Sequence, residues 1–196
     1  MRQRGFTLLE LLAALAVLAV LGALGFRGLN SVLETESRLQ AETRRWNDLA
    51  LLFSQLGEDM TMAVERPVRE VAGGMSPALS LQESTDPNHA HLVVTRLGIG
   101  EGSAAQSAQR RVGYRLREGK LEYLVWPSPE SAPGVPPAAY VALEQVASVK
   151  WEALDTDGRW VNAWPAGRAA NVLPRAISLR LALASGGEVT RIVALR

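Results

Sequence analysis

Cysteine is absent from the 196 residues, and only two residues are histidine. The first absence excludes disulfides, thiolate zinc sites, iron–sulfur clusters and thiol nucleophiles; the second excludes a three-histidine metal centre. A surplus of either charge is missing too, since 21 Lys and Arg stand against 20 Asp and Glu, a formal net charge of +1. That balance carries no electrostatic footprint for DNA or RNA, so no nucleic-acid partner is expected. No G-x-S-x-G or comparable nucleophile setting occurs. General acid–base chemistry would need a carboxylate pair that spacing along the chain does not reveal. The chain therefore reads as no enzyme, with no catalytic residue, no cofactor and no small-molecule substrate. Its length suits one globular domain with an appendage.

What is present is unevenly spread. Phe6 to Phe26 reads FTLLELLAALAVLAVLGALGF, with Glu10 as its one ionisable residue. At 1.5 Å rise per residue this run spans about 31 Å, the hydrocarbon thickness of a bilayer. Arg2 and Arg4 precede it, and positive charge before an apolar span holds that end in the cytoplasm. A secretory signal peptide and a plain signal anchor are two readings of such a segment. The first finds a poor cleavage site at Gly22-Ala23-Leu24-Gly25-Phe26, and neither accounts for Glu10. A carboxylate in an apolar span costs several kcal/mol unless it is paired or neutralised. Cleavage after Gly5 would create an ammonium on Phe6, one helical turn from Glu10, on the same chain or a neighbouring copy.

Arg4-Gly5-Phe6-Thr7-Leu8-Leu9-Glu10 before an apolar run resembles the type IV prepilin leader. The resemblance implies that a membrane-embedded prepilin peptidase cuts between Gly5 and Phe6 and leaves the apolar stretch attached. It also implies that Phe6 is N-methylated and that Glu10 sets register during filament assembly.

Beyond Arg27 a stripe at Leu39, Trp46, Leu49, Phe53, Leu56, Met60 and Ala63 keeps one helix face apolar. Arg38, Arg44, Arg45, Asp48 and Asp59 are placed on the opposite face. No proline intervenes before Pro67, so the helix is expected to run nearly unbroken from Phe6 to Arg66. The stripe from Leu39 onward reads as the core-packing half, with a coiled coil as its rival. Gly22, Gly25 and Gly28 either favour close helix packing or reflect the ordinary glycine content of membrane helices. The rest reads as strands and loops. A strand is expected at 90–96, a loop at 98–109, and a hairpin joins 111–117 to 121–126 through Glu118-Gly119-Lys120. Pro127 to Ala139 holds five of the ten prolines and reads as an extended loop. Two more hairpins join 146–154 to 159–164 and 174–184 to 188–195. The expected fold is α+β: one long N-terminal helix packed on a twisted antiparallel sheet. The divisions are a leader at 1–5, a membrane helix at 6–26, the outer half of the helix at 27–66, and a β-rich domain at 67–196.

Further segments resemble the minor pseudopilin J family of type II secretion. They are Phe26-Arg27-Gly28-Leu29-Asn30-Ser31-Val32-Leu33, Glu42-Thr43-Arg44-Arg45-Trp46, Ala63-Val64-Glu65-Arg66-Pro67-Val68-Arg69, Arg111-Val112-Gly113-Tyr114-Arg115-Leu116 and Leu173-Pro174-Arg175-Ala176-Ile177. This resemblance implies a pseudopilin fold in a subunit of the pseudopilus tip, which starts assembly and helps drive exoproteins through the outer membrane. The implied partners are minor pseudopilins I and K, with H, the major pseudopilin, the prepilin peptidase and the inner-membrane assembly platform. The implied location is the inner membrane of a Gram-negative bacterium, single-pass, with the domain in the periplasm. Two rivals remain: a minor pilin of a type IV pilus or competence system, and a membrane-anchored periplasmic adaptor in which Glu10 is incidental.

Two other clusters are weighed and set aside. His89 and His91 would share a strand face, but a solvated loop edge explains them, and no metal is expected there. Asp155-Thr156-Asp157-Gly158 has the first half of a calcium loop without the later glutamate, which favours a hairpin turn. Trp46, Trp126, Trp151, Trp160 and Trp164 are expected mainly in the core, and any exposed one is a candidate anchor for partner subunits. The Pro127–Ala139 segment is the other candidate.

Overall fold

A computed structural model describes residues 8–69, 74–83, 86, 88–98, 109–130 and 135–195. Helix α1 runs Leu8–Thr61, through good helix formers and no proline. It ends five residues before the expected Arg66 because the sheet captures the following backbone. Ala63 pairs with Arg96 in an isolated antiparallel bridge. The Val64 N–H donates to the Thr95 carbonyl at 2.9 Å, and the Leu97 N–H to that of Met62 at 2.9 Å. Two compact units are present, Met1–Asn47 and Asp48–Arg196.

Within the second unit, β1 (Val68–Arg69) and β2 (Met75–Ser76) form a short ribbon. Next come β3 (Leu79–Leu81), β4 (Leu92–Leu97), β5 (Gln109–Arg117), β6 (Lys120–Val125) and β7 (Ala138–Leu143). They build an antiparallel five-stranded sheet in chain order. The last four strands are β8 (Val146–Leu154), β9 (Trp160–Val161), β10 (Ala176–Leu183) and β11 (Glu188–Ala194). They form a second antiparallel sheet in the order β11-β10-β8-β9. The single sheet expected from the sequence is thus two sheets and a ribbon. β7 begins inside the segment read as a proline-rich loop, and the second hairpin returns through only two residues. Segment 99–108, most of the expected loop at 98–109, lies outside the described residues.

One core joins the last turns of α1 to both sheets. Leu49, Leu52, Leu56 and Met60 are buried with Leu79, Leu92, Val112, Tyr114 and Leu121 of the first sheet and Trp151, Ile177 and Leu179 of the second. The apolar stripe is correct from Leu49 onward, whereas Leu39 and Trp46, on the part of α1 before Asp48, are exposed. The β5–β6 turn puts Glu118 at φ 51° and Gly119 at φ 73°. Two successive left-handed residues suit the right-handed twist of a two-residue hairpin. Gly113 is required for a different reason. A Cβ there would lie 2.7 Å from the Leu92 carbonyl oxygen and 3.2 Å from the Trp126 ring.

Candidate functional site

Three regions hold the chemistry-bearing residues, and each is described within its own unit. The first is the beginning of α1. From Leu8 to Glu36 the helix is long and apolar enough to cross a membrane, and none of its apolar stretch is buried. Leu11, Leu15, Leu18, Leu21 and Phe26 all stand open. Such a helix, apolar around much of its circumference, needs lipid or other helices around it. Glu10 lies in its first turn, where a carboxylate complements the positive end of the helix dipole. Gly5 and Phe6 lie outside the described residues.

The second region is a polar hub inside the core. Asp59 is fully buried and gathers donors from α1 itself and from three strands, β4, β5 and β6. Tyr114 Oη donates to Oδ2 at 2.7 Å. Gln55 Nε2 and Tyr123 Oη donate to Oδ1 at 2.9 and 3.3 Å. Arg96 Nη1 also bonds Oδ1, while its Nη2 reaches Glu58 at 2.7 Å. Burial pushes the Asp59 carboxyl above the ordinary carboxylate value, against the opposing pull of Tyr114 and then Arg96. Burial likewise works against the charge on Arg96, but Asp59 more than offsets it and holds the guanidinium protonated. The Tyr114 hydroxyl is pushed well above its usual value, first by burial and then by the Asp59 charge. Register explains the tyrosines: Tyr114 and Tyr123 are directly opposed on β5 and β6, with ring centroids 5.3 Å apart. The hub corrects the placing of Asp59 on the outer helix face. Asp59 stands seven residues after Leu52 and three after Leu56, both buried, so spacing puts it on the core face despite its charge.

The third region is the turn after β8. Asp155 Oδ1 accepts from the backbone N–H of Asp157 at 2.9 Å and of Arg159 at 2.8 Å. Its Oδ2 faces Arg159 and Arg168, and Arg168 also reaches Asp157 at 2.9 Å. These bonds, led by the Arg159 amide, hold the Asp155 carboxyl below the ordinary value. The arrangement is a closed turn whose carboxylates face arginine side chains. His91 is half-buried in a cleft of about 330 Å³ with Leu81, Leu116, Arg117, Lys150 and Trp151, and burial lowers its pKa. Among the described residues, no group of three or more His, Asp or Glu could hold a metal ion.

The tryptophans divide. Trp151 and Trp164 are core residues, the latter donating from Nε1 to the Val172 carbonyl at 3.0 Å, and Trp126 is half-buried. Trp46 and Trp160 are exposed, which leaves them as the candidate anchors.

Comparison with known proteins places these features together. Residues 27–195 match the family model for type II secretion system protein J, and residues 1–26 match the prokaryotic N-terminal methylation motif. A type II secretion system protein J from Escherichia coli is 30% identical over 195 residues, covering 98% of this chain and 96% of that protein. The protein of the same description from Klebsiella pneumoniae is 28% identical over 204 residues, covering 99% and 96%. Among solved structures, a chain of the GspK–GspI–GspJ complex from the type 2 secretion system of enterotoxigenic Escherichia coli superposes with a TM-score of 0.64. It is 27% identical, and the match covers 78% of this chain and 97% of that one.

Proposed function

The chain belongs to the type II secretion system protein J family, the minor pseudopilins of the secretion pseudopilus, and from that membership we propose how its parts act. Prepilin peptidase cuts between Gly5 and Phe6 on the cytoplasmic face, and the new N-terminus of Phe6 is methylated. Until assembly, α1 anchors the subunit as a single span in the inner membrane of a Gram-negative cell, with its β-rich domain in the periplasm. Glu10 then pairs with the terminal ammonium of a neighbouring subunit and sets its register. The subunit joins the I and K pseudopilins at the tip, with H beside them, a reading supported by the likeness to a chain solved within a GspK–GspI–GspJ complex. There it starts assembly and helps push exoproteins outward, as a structural subunit rather than an enzyme.

The observation that carries this reading is the junction of a methylation motif at 1–26 with a protein J domain at 27–195. The first of these coincides with an exposed apolar helix bearing Glu10 in its first turn. The test is the intact mass of the membrane-extracted chain, made with and without a prepilin peptidase. Loss of Met1 to Gly5 and gain of one methyl group, only with the peptidase present, is the expected result. An unprocessed chain, or a cut near Gly25, overturns it.

A further inference from the structure

Strand β7 stands at the open edge of the five-stranded sheet, paired with β6 on one side only. An open edge presents a row of backbone donors and acceptors to any extended chain, and proteins blunt such rows with charge, shortness or a cover. The other described edges are blunted in these ways. β9 has two residues, and β11 carries Glu188 and Arg191. β3 is covered where Leu81 and Trp164 exchange backbone hydrogen bonds at 3.2 and 2.9 Å. Among the described residues, β7 has none of these protections. Ala138-Ala139-Tyr140-Val141-Ala142-Leu143 holds no charge, and the two prolines before it, Pro136 and Pro137, stand outside the strand. Its first four residues are exposed on both faces, with Tyr140 60% and Val141 52% open.

We propose that β7 takes an added β-strand, an uncharged extended segment of a neighbouring pseudopilin subunit, when the tip assembles. This rests on the assembly reading above. Backbone geometry selects the form of the occupant. Tyr140 and Val141 are consecutive and therefore project to opposite faces, so a helix laid on the sheet would cover one and leave the other bare. An added strand pairs the open backbone row and brings side chains to both faces. The lack of charge from Val135 to Leu143 selects its composition, because the strand offers a charged segment no counter-ion and Glu122, beside Val141, is already paired with Arg115. Area selects its source. Six residues offer about 20 Å of edge on a sheet about 10 Å thick, so pairing covers on the order of 400 Å² in total. Stable dimers need about 1,200 Å². A second copy of this chain or a freely diffusing protein would not be held. A subunit already docked through its own helix meets the edge at an effective concentration near millimolar.

The cysteine-free chain makes the test direct. The full chain bearing Val141→Cys is purified in detergent, labelled with a benzophenone maleimide, mixed with the other purified pseudopilins and irradiated. A covalent adduct with one of those subunits is expected. In parallel, Val141→Lys should lower the yield of captured pseudopilin complex about tenfold with near-ultraviolet circular dichroism unchanged. Ile192→Lys, at an exposed apolar site on β11, should leave the yield as it was. Capture by Val141→Lys at the unsubstituted level, or an adduct only with a second copy of this chain, overturns the inference alone. A failure of the unsubstituted chain to capture any pseudopilin overturns the reading beneath it as well.

Discussion

Replacing Asp59 by alanine removes the acceptor on which Arg96, Tyr114, Tyr123 and Gln55 converge. The Arg96 guanidinium, 7% exposed, would keep Glu58, itself 41% exposed, and the Tyr114 hydroxyl would lose the acceptor it has at 2.7 Å. Breaking a buried ion pair from one side costs about 3–5 kcal/mol, and a buried donor left unsatisfied costs about 1–3 kcal/mol, with much overlap between the two. A net loss of about 4 kcal/mol is expected. In a domain of this size that lowers Tm by roughly 8–16 °C. Burial raises the Asp59 pKa while the pair holds that of Arg96 up, and a desolvated pair of this kind is costly to break from one side but nearly neutral to replace whole by apolar groups. The triple variant Asp59→Leu, Arg96→Met, Tyr114→Phe should therefore regain most of the loss, because no buried charge is left unpaired and Glu58, 41% exposed, is hydrated once Arg96 is gone. The assay is thermal unfolding of the full chain in detergent, followed by near-ultraviolet circular dichroism, in which Trp151 reports through its ring 5.5 Å from Tyr114. A shift below about 2 °C for Asp59→Ala, or a triple variant no better than the single one, would refute the reasoning.

Gly113→Ala drives a methyl against the Leu92 carbonyl and the Trp126 ring, and should cost about 1–3 kcal/mol, read as a lower urea midpoint. An unchanged midpoint would show that β4 and β5 can part without strain. Asp155 contributes stability through a lowered carboxyl pKa. That contribution is complete above the unfolded value, near 3.8, and is lost as pH falls through the lower folded value. Asp59 has the opposite sign: its raised pKa makes ionisation oppose folding as pH rises from 3.8 through the folded value. Asp155→Asn keeps an oxygen acceptor for the Asp157 and Arg159 amides, so the acid side of the stability profile should flatten while the turn survives. A profile identical to that of the parent chain below pH 4 would count against the assignment.

The most legible features were those whose physical cause is local. A 21-residue apolar run with basic residues before it and one carboxylate near its start can be read without knowing any contact. The hairpin at Glu118-Gly119 and the third hairpin are local too, since a turn and its two alternating flanks lie within twenty residues of one another. The errors came where a distant element decided the outcome. α1 stops at Thr61 because residues 62–64 are taken up beside β4, a segment more than thirty residues away. β7 was hidden because its partner β6 precedes it across a proline-rich segment, and alanines carry little strand signal.

Asp59 shows where the division lies. Sequence by itself determined the membrane-length helix, the lack of any thiol and the α+β class, since each follows from composition or short-range periodicity, and it carried the N-terminal methylation motif as a resemblance in its first residues. Spacing along α1 turns Asp59 to the core face, but tertiary structure alone decided that its carboxylate could stay there. Burying a carboxylate is favourable only once Arg96, Tyr114 and Tyr123 arrive from three different strands to meet it, and no local pattern encodes that meeting. It likewise decided that two sheets, rather than one, would share the core, and that β7 would have no second strand beside it among the described residues.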